Sequence, residues 1–288
     1  MTDKNNAEMD GSRGESLKLS VFYDHMIQAS EQTGKTLPEL LREARAAGIE
    51  AVEIHMTYLA EHEETLDLLR QADLKVSCVY EFYEMDRRNE TEKAGKHIEV
   101  ARNAGAELAL VVPGFFTEET ETFGECIRSQ EITCKFLDEN EKALRMAEGL
   151  AEITAMGARA GIRVVIEDFD DVRSPISCIY GMKWFLERIP DLKVTFDTGN
   201  FITHKEDIFE AWQALRDRVI HVHCKDRGVQ SVAVGDGYLP MTEILTDIMQ
   251  SGYRGYFAIE HFDAPDQESS IRRSAAKIQE IASISQSS

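Results

Sequence analysis

Four ionisable side chains could together hold a divalent metal ion, because each stands at the end of a short apolar run. The runs are RVVIE, KVTFD, VIHVH and YFAIE, which end at Glu167, Asp197, His223 and Glu260. Short runs rich in Val, Ile and Phe are typical of buried parallel strands. A carboxylate at the end of such a strand is costly unless it is paired or bound to a cation. Three carboxylates and one imidazole on successive strands therefore predict one shared metal site.

Each of the four residues also has a simpler explanation. A single polar side chain at a strand end often only bonds to a neighbouring loop, and this explanation holds for each residue taken alone. Their joint occurrence on consecutive strands favours the shared site. Carboxylate oxygens combined with one imidazole nitrogen predict one divalent ion, with Mn²⁺ favoured and Mg²⁺, Co²⁺ or Zn²⁺ as alternatives.

The elements that would position these residues alternate regularly between strands and helices. Predicted strands begin near residues 17, 49, 74, 108, 163, 193, 219 and 256, and a helix follows each of them. Such alternation predicts a parallel sheet with right-handed crossovers. Eight units predict a single-domain α/β protein, a (β/α)8 TIM barrel over residues 17–283, with its active site at the carboxyl ends of the strands. An open doubly wound sheet is the alternative, but the sequence lacks the GxGxxG turn that usually follows the first strand of such a sheet.

Composition limits the classes of protein to which the chain can belong. Its net charge of -20 arises from 52 acidic and 32 basic residues, without a Lys/Arg run that could neutralise phosphates, so nucleic-acid binding is disfavoured. No apolar run approaches the roughly 20 residues of a membrane span. Residues 1–16 lack the apolar core of a secretory signal and are predicted to form a disordered arm, and residues 284–288 a flexible tail. The five cysteines form no CxxC pair, so we expect reduced thiols in a cytoplasmic protein.

The strand ends resemble those of the xylose isomerase-like sugar isomerase/epimerase barrels. The matching pieces are VVIED, TFDTGN, HVHCKD and GYRGYFAIEHF, and the resemblance extends over about residues 17–281. It implies that Glu167, Asp197, His223 and Glu260 bind one divalent metal. It also implies a small-molecule sugar or sugar-derived substrate and, since barrels of this family often pair, a homo-oligomer.

The predicted site suits the isomerisation or epimerisation of such a substrate through an enediolate. A metal ion with four protein ligands keeps two octahedral positions for a vicinal hydroxyl and carbonyl, and it stabilises the enediolate as the α-proton leaves. Glu167 and Glu260 are the predicted catalytic residues, one removing the proton and the other returning it. The alternatives are a dehydratase or lyase that acts on a keto-sugar or inosose, and a non-catalytic carbohydrate-binding barrel.

Two positions depart from the pattern of the family. Many relatives have a histidine where this chain has Asn200, three residues after Asp197. The sugar 3-epimerases carry a substrate-binding arginine beyond the histidine of the seventh strand, and the nearest counterpart here is Arg227. The endonuclease IV enzymes share the fold but need a larger set of metal ligands. Asn200 and the acidic composition both argue against that activity.

Further polar residues near the strand ends are candidates for binding substrate: Lys225, Asn200, Glu53, His55 and Arg227. Lys225 shares a strand face with His223, but an ion pair with Asp226 is an equal alternative. Glu53 and His55 share a face at the end of the second strand, although Glu53 could instead bond to groups inside the barrel. His221 is predicted to be a buried, hydrogen-bonded histidine. Residues 115–134 have poor periodicity and are predicted to form a long loop, a common form for a lid.

Overall fold

The predicted strands meet in a closed parallel barrel. The computed structural model describes residues 17–285, and the strands of its barrel are β1 (Lys18–Phe22), β2 (Ile49–His55), β3 (Lys75–Phe82), β4 (Leu108–Val112), β5 (Arg163–Glu167), β6 (Lys193–Asp197), β7 (Val219–Cys224) and β10 (Tyr256–Ile259). They pair in the order β1-β2-β3-β4-β5-β6-β7-β10, and β10 pairs with β1 to close the ring. The predicted (β/α)8 barrel is thereby confirmed, and the open sheet is excluded.

Helices surround this barrel, and a small hairpin lies at its mouth. The helices are α1 (Tyr23–Thr33), α2 (Leu37–Ala46), α3 (Met56–Glu61), α4 (Glu64–Gln71), α5 (Thr91–Ala104), α6 (Thr120–Cys126), α7 (Gln130–Glu139), α8 (Glu141–Ala160), α9 (Ile179–Arg188), α10 (Ile208–Leu215), α11 (Met241–Gln250) and α12 (Gln267–Ser285). The hairpin consists of the antiparallel strands β8 (Asp226–Arg227) and β9 (Ser231–Val232), directly after β7. None of the helices in the described part of the chain combines the length and the apolar character that a membrane crossing requires.

Local sequence explains where several helices begin and end. The carboxylate of Glu39 accepts a hydrogen bond from the backbone N–H of Thr36 at 2.8 Å, which fixes the start of α2 as the sequence predicts. α5 and α8 end at Gly105 and Gly161, whose φ angles of 72° and 77° lie in the left-handed region that glycine adopts most easily. These ends return the chain to the barrel at the start of each following strand.

The structure differs from the predicted elements in three places. Two helices, α1 and α2, lie between β1 and β2, where the alternation predicts one. The predicted long loop over residues 115–134 is wrong, because α6 and the start of α7 lie within it. Between β4 and β5, where the alternation predicts one helix, α7 ends and α8 begins at Asn140, whose side chain accepts a hydrogen bond from the N–H of Ala143 at 3.0 Å. α12 continues to Ser285 and so includes the first two residues of the tail predicted over 284–288, while residues 286–288 and the predicted arm over residues 1–16 lie outside the described residues.

The apolar core has two layers. The larger layer fills the space between the helices and the outer face of the barrel. A smaller layer lies inside the barrel and consists of Phe22, Cys78, Tyr80, Leu108, Leu110, Val112 and Val165. These inner residues belong to β1, β3, β4 and β5, so one side of the barrel interior is apolar. The other side carries the predicted metal ligands.

Candidate metal centre

The four predicted ligands come together at the carboxyl ends of four neighbouring strands. Glu167 and Asp197 are the last residues of β5 and β6, His223 lies one residue before the end of β7, and Glu260 directly follows β10. Strand register places Asp197 beside His223, and His223 beside the residue two before Glu260. One ligand atom from each side chain lies within 4.8 Å of the others, and all four residues are buried.

His223 occupies the middle of this group and uses both ring nitrogens. Its Nδ1 lies 2.9 Å from Glu167 Oε1, 3.0 Å from Glu260 Oε2 and 4.0 Å from Asp197 Oδ2. Its Nε2 faces the opposite way and lies 3.0 Å from Glu53 Oε2. The imidazole therefore joins the carboxylate cluster to a second carboxylate deeper in the barrel.

The buried carboxylates of the cluster need a positive charge nearby to remain ionised. Burial raises the pKa of Glu167 and places the pKa of Asp197 well above its ordinary value. Burial also opposes the ionised form of Glu260, but Lys225 and His223 outweigh it and hold its pKa well below the ordinary value. Burial lowers the basicity of His223, yet the surrounding carboxylates, with Glu53 first, raise its pKa well above the ordinary value. A divalent cation at this point would satisfy the carboxylates directly.

The donor set fits such a cation. Asp197 Oδ2 is buried without a hydrogen-bond partner, and its nearest cationic nitrogens, on Lys225 and His223, lie 3.9 and 4.0 Å away. Its other oxygen accepts a hydrogen bond from the N–H of Gly199 at 2.6 Å, so the side chain is held in place. Carboxylate oxygens and one imidazole nitrogen are ligands that Mn²⁺, Mg²⁺, Co²⁺ and Zn²⁺ accept. The residues that could hold the ion are therefore Glu167, Asp197, His223 and Glu260.

Three of the predicted substrate-binding residues border this group. Asn200 donates to Glu167 Oε1 at 3.3 Å and accepts a hydrogen bond from Arg227 at 3.1 Å. Lys225 Nζ lies 2.7 Å from Glu260 Oε1 and 3.2 Å from Asp170 Oδ2. Arg227 also donates to Asp170 at 2.8 Å. The polar network thus joins the ligands to the mouth of the barrel through Asp170.

The alternative pairing of Lys225 with Asp226 is wrong. The carboxylate of Asp226 accepts hydrogen bonds from the backbone N–H groups of Arg227, Gly235 and Gly237, at 2.8 to 3.0 Å. Asp226 therefore holds the hairpin and the loop that follows it, while Lys225 faces the ligands.

Glu53 and His55 have separate environments. The Oε2 of Glu53 accepts hydrogen bonds from His221 Nε2 at 2.8 Å and His223 Nε2 at 3.0 Å, with all three side chains fully buried. Burial alone would raise the pKa of Glu53, but these imidazoles outweigh it and lower the pKa to about 2. His55 is partly exposed, begins α3 by accepting a hydrogen bond from the N–H of Thr57, and lies 3.5 Å from Glu81. Glu53 thus bonds to groups inside the barrel, which was the second of the two interpretations of this residue from sequence. His221 is buried and hydrogen-bonded as predicted.

A cavity of about 390 Å³ opens above the cluster, a size within the range of small-molecule sites. The ligands and their polar neighbours line one side of it. The opposite side is aromatic and is formed by Phe22, Tyr80, Phe82, Phe169 and Phe262. A larger basin of about 780 Å³ lies at the other end of the barrel and contains none of the four ligands.

Sequence reasoning missed two kinds of residue in this cavity. Asp170 stands three residues after Glu167, and its acidic neighbours in the sequence concealed its role as a partner of Lys225 and Arg227. Phe262 follows Glu260 by two residues, so alternation along the strand direction could have placed it at the mouth. Phe169 follows Glu167 by the same two residues, and Tyr80 and Phe82 are also two residues apart on β3, so alternation could have placed these residues as well.

Comparison with known proteins places the barrel among proteins of the same fold. The family model of the xylose isomerase-like TIM barrel matches residues 41–281. The inosose dehydratase of Clostridium perfringens (strain 13 / Type A) is 22% identical over 254 residues, which cover 78% of this chain and 82% of that protein.

Solved structures share the same architecture. L-ribulose 3-epimerase has a TM-score of 0.71 at 14% identity, over 94% of this chain and 96% of that chain. The IOLI protein, whose crystal structure holds a bound zinc atom, has a TM-score of 0.70 at 14% identity, over 93% of this chain and 99% of that chain. At these identities the likeness shows a common fold.

Proposed function

The chain belongs to the xylose isomerase-like TIM barrel family, and from this premise we propose that it is an enzyme that isomerises or epimerises a sugar or sugar-derived substrate with the help of a divalent metal. The observation that carries the proposal is the convergence of Glu167, Asp197, Glu260 and His223 Nδ1 on one buried point. Such a cluster has no evident purpose in a barrel that only binds carbohydrate.

The four converging residues would hold the ion, with Mn²⁺ favoured by the predominance of carboxylate oxygens. When bound, a divalent metal supplies Lewis-acid polarisation of a carbonyl oxygen and stabilises negative charge that develops on it. A zinc atom bound to the similar IOLI protein makes Zn²⁺ the first alternative to test.

Glu167 and Glu260 are the proposed acid and base. They lie at the two ends of the arc formed by β5, β6, β7 and β10, so a substrate carbon between them would have one carboxylate on each side. Glu260 is paired with Lys225 at 2.7 Å, which keeps it in the ionised form that acceptance of the α-proton requires. Glu167, whose pKa is raised by burial, would enter the step protonated and give its own proton to the opposite face, which inverts the carbon, and exchange with water would restore both carboxyl groups. The intermediate between the two steps is an enediolate of the substrate.

The remaining polar residues of the cavity would bind and orient the hydroxyl groups of the substrate. Lys225, Arg227 and Asn200 surround the ligands and supply N–H donors, and Asp170 supplies an acceptor. His55 lies farther out and is partly exposed, where it could contact a distal hydroxyl. The aromatic side would pack against the C–H faces of the substrate and exclude water.

A dehydratase is the second candidate, favoured by the similarity to an inosose dehydratase over most of both chains. The same removal of an α-proton would be followed by loss of a hydroxyl from the next carbon, instead of reprotonation. The two outcomes differ in product, because elimination creates an unsaturated ketone that absorbs ultraviolet light.

The test combines metal content with proton exchange. Purified protein reconstituted with Mn²⁺ should contain one ion per chain and should exchange the α-proton of a ketose, inosose or sugar acid with deuterated water. Glu260→Gln should retain the ion and lose exchange, because an amide cannot accept the proton. Full turnover by Glu260→Gln would contradict the acid/base assignment, and absence of any ion from the wild type would contradict the metal assignment.

A further inference from the structure

A single carboxylate oxygen in the barrel interior is shared between two imidazoles. Oε2 of Glu53 lies 2.8 Å from His221 Nε2 and 3.0 Å from His223 Nε2. Glu53 belongs to β2 and the histidines to β7, which are separated by β1 and β10 in the ring. The contact therefore spans the interior of the barrel, where all three side chains are inaccessible to solvent.

This arrangement determines where the imidazole hydrogens lie. An ionised carboxylate only accepts hydrogen bonds, so both Nε2 atoms must carry a hydrogen. A neutral imidazole has one N–H, and its other nitrogen presents a lone pair. For His223 that other nitrogen is Nδ1, which faces Glu167 and Glu260 at 2.9 and 3.0 Å. In the neutral imidazole, the contact with Glu53 therefore leaves the lone pair at Nδ1, so a cation at the point where the carboxylates converge would take the place of the Nδ1 proton that the protonated ring carries.

We propose that Glu53 is a positioning residue for the metal centre: it fixes the tautomer and orientation of His223, and His221 holds Glu53 in place. The proposal rests on the proposed function, because it assumes that His223 Nδ1 is a metal ligand. A carboxylate bonded to the far nitrogen of a ligating imidazole increases the donor strength of that imidazole, and loss of such a partner typically costs about 10–100-fold in metal affinity. Glu53 acts through His223.

The first test measures Co²⁺ affinity by visible absorption, without reference to turnover. Glu53→Ala should weaken binding by about 10–100-fold. Glu53→Gln keeps an accepting oxygen but loses the charge, so its affinity should lie between those of the wild type and Glu53→Ala. Glu206→Gln removes a partly buried carboxylate that bonds to the backbone of Ile179 and should leave affinity unchanged. Equal affinity in the wild type and both Glu53 variants would overturn the proposal.

The second test needs only the wild-type protein, so it holds even if a variant does not fold. Two-bond ¹H–¹⁵N spectra of the Zn²⁺-loaded protein should show both His221 and His223 protonated at Nε2. A hydrogen on Nδ1 of His223, or two ions per chain with one bound by Glu53 and the histidines, would overturn the proposal. Failure of the wild type to bind Co²⁺ or Zn²⁺ would instead contradict the proposed function.

Discussion

The mouth of the barrel has two unlike halves. In the charged half, β5, β6, β7 and β10 end at Glu167, Asp197, His223 and Glu260. In the apolar half, β1, β3 and β4 end at Phe22, Phe82 and Val112, and these strands supply six of the seven residues of the inner core layer. Both halves are built from the same short strands, so the difference lies in the side chains and not in the architecture. Glu53 is the exception, a charged residue of β2 that turns toward the charged half.

The two halves make opposite contributions to folding. Apolar side chains buried in one half stabilise the fold at roughly 25 cal/mol per Å² of surface removed from water. The carboxylates of the other half are desolvated and repel one another, so they oppose folding until a cation is bound. The apolar half therefore stabilises the fold, and the charged half carries the residues proposed to do the chemistry. Variants in each half should therefore fail in different ways.

The largest effect is expected from removing a ligand in the charged half. Asp197→Ala and Glu167→Ala should each abolish stoichiometric metal binding and reduce kcat/KM by at least about 10³-fold, because Lewis-acid stabilisation is worth several kcal/mol. Metal analysis of the purified variants, beside the wild type treated with a chelator, checks this result. One tightly bound ion per chain in either variant would show that the charged half is not the metal centre.

A core truncation in the apolar half should act on folding instead. Leu110→Ala removes a buried side chain of the inner layer and should lower the free energy of unfolding by about 2–5 kcal/mol, measured by urea denaturation. Leu144→Ala, at an exposed position of α8, is the matched control and should change stability by less than about 0.5 kcal/mol. If Leu110→Ala unfolds like the wild type, the inner layer does not stabilise the barrel.

Neutralising a ligand should raise the free energy of unfolding of the metal-free protein, whereas the core truncation lowers it. Asp197→Asn keeps an oxygen for the N–H of Gly199 and removes a carboxyl group whose ionised form is strongly disfavoured by burial, so the metal-free variant should be more stable than the wild type by about 1–2 kcal/mol. With Mn²⁺ present the order should reverse, because the wild type binds the ion more tightly than the variant and therefore gains more stability from binding. Parallel urea denaturation with chelator and with Mn²⁺ measures both differences. A variant less stable than the wild type in chelator would mean that the charged half does not oppose folding.

The four proposed ligands of the charged half could be predicted from sequence more fully than the residues around them. The four proposed ligands stand at strand ends, and period-two alternation with parallel register is enough to bring strand ends to one edge. The contact of Glu53 with His221 and His223 could not be predicted in the same way. It depends on the closure of the barrel, which brings β2 opposite β7 across the interior.

The helices missed by sequence reasoning show a second limit. α6 buries only Phe123 and α7 only Thr133 and Leu137, so neither provides the regular apolar stripe by which a helix is recognised. Their order comes from tertiary contacts, since the rings of Phe116, Phe123 and Phe136 pack together at 5.2 to 5.8 Å. Segments stabilised mainly by such contacts leave little trace in local sequence.

The smallest expected effect tests whether burial of a carboxylate charge is by itself enough to lower the stability of the fold, as we infer for the charged half. Glu206 lies before α10, away from the four ligands, and accepts hydrogen bonds only from the backbone N–H of Ile179 among its contacts in residues 17–285. Burial raises its pKa from 4.5 to about 7, so its folded form binds a proton more tightly than its unfolded form. The favourable contribution of Glu206 to the free energy of unfolding is therefore fully present below pH 4.5 and is lost as the pH rises from 4.5 to about 7.

Glu206→Gln removes this titration, and the variant should therefore be more stable than the wild type by about 1 kcal/mol at pH 8, once screening of a partly exposed group is allowed for. At pH 5 the advantage should nearly vanish, because the wild-type side chain is then mostly protonated in the folded state. Urea denaturation of the metal-free proteins at both pH values measures the difference, with the exposed Glu187→Gln as the control. An advantage that is equal at pH 5 and pH 8 would mean that the charge of Glu206 is not its source. The cost attributed to the buried carboxylates of the metal centre would then need another physical cause, such as strain in the side chains that converge on His223.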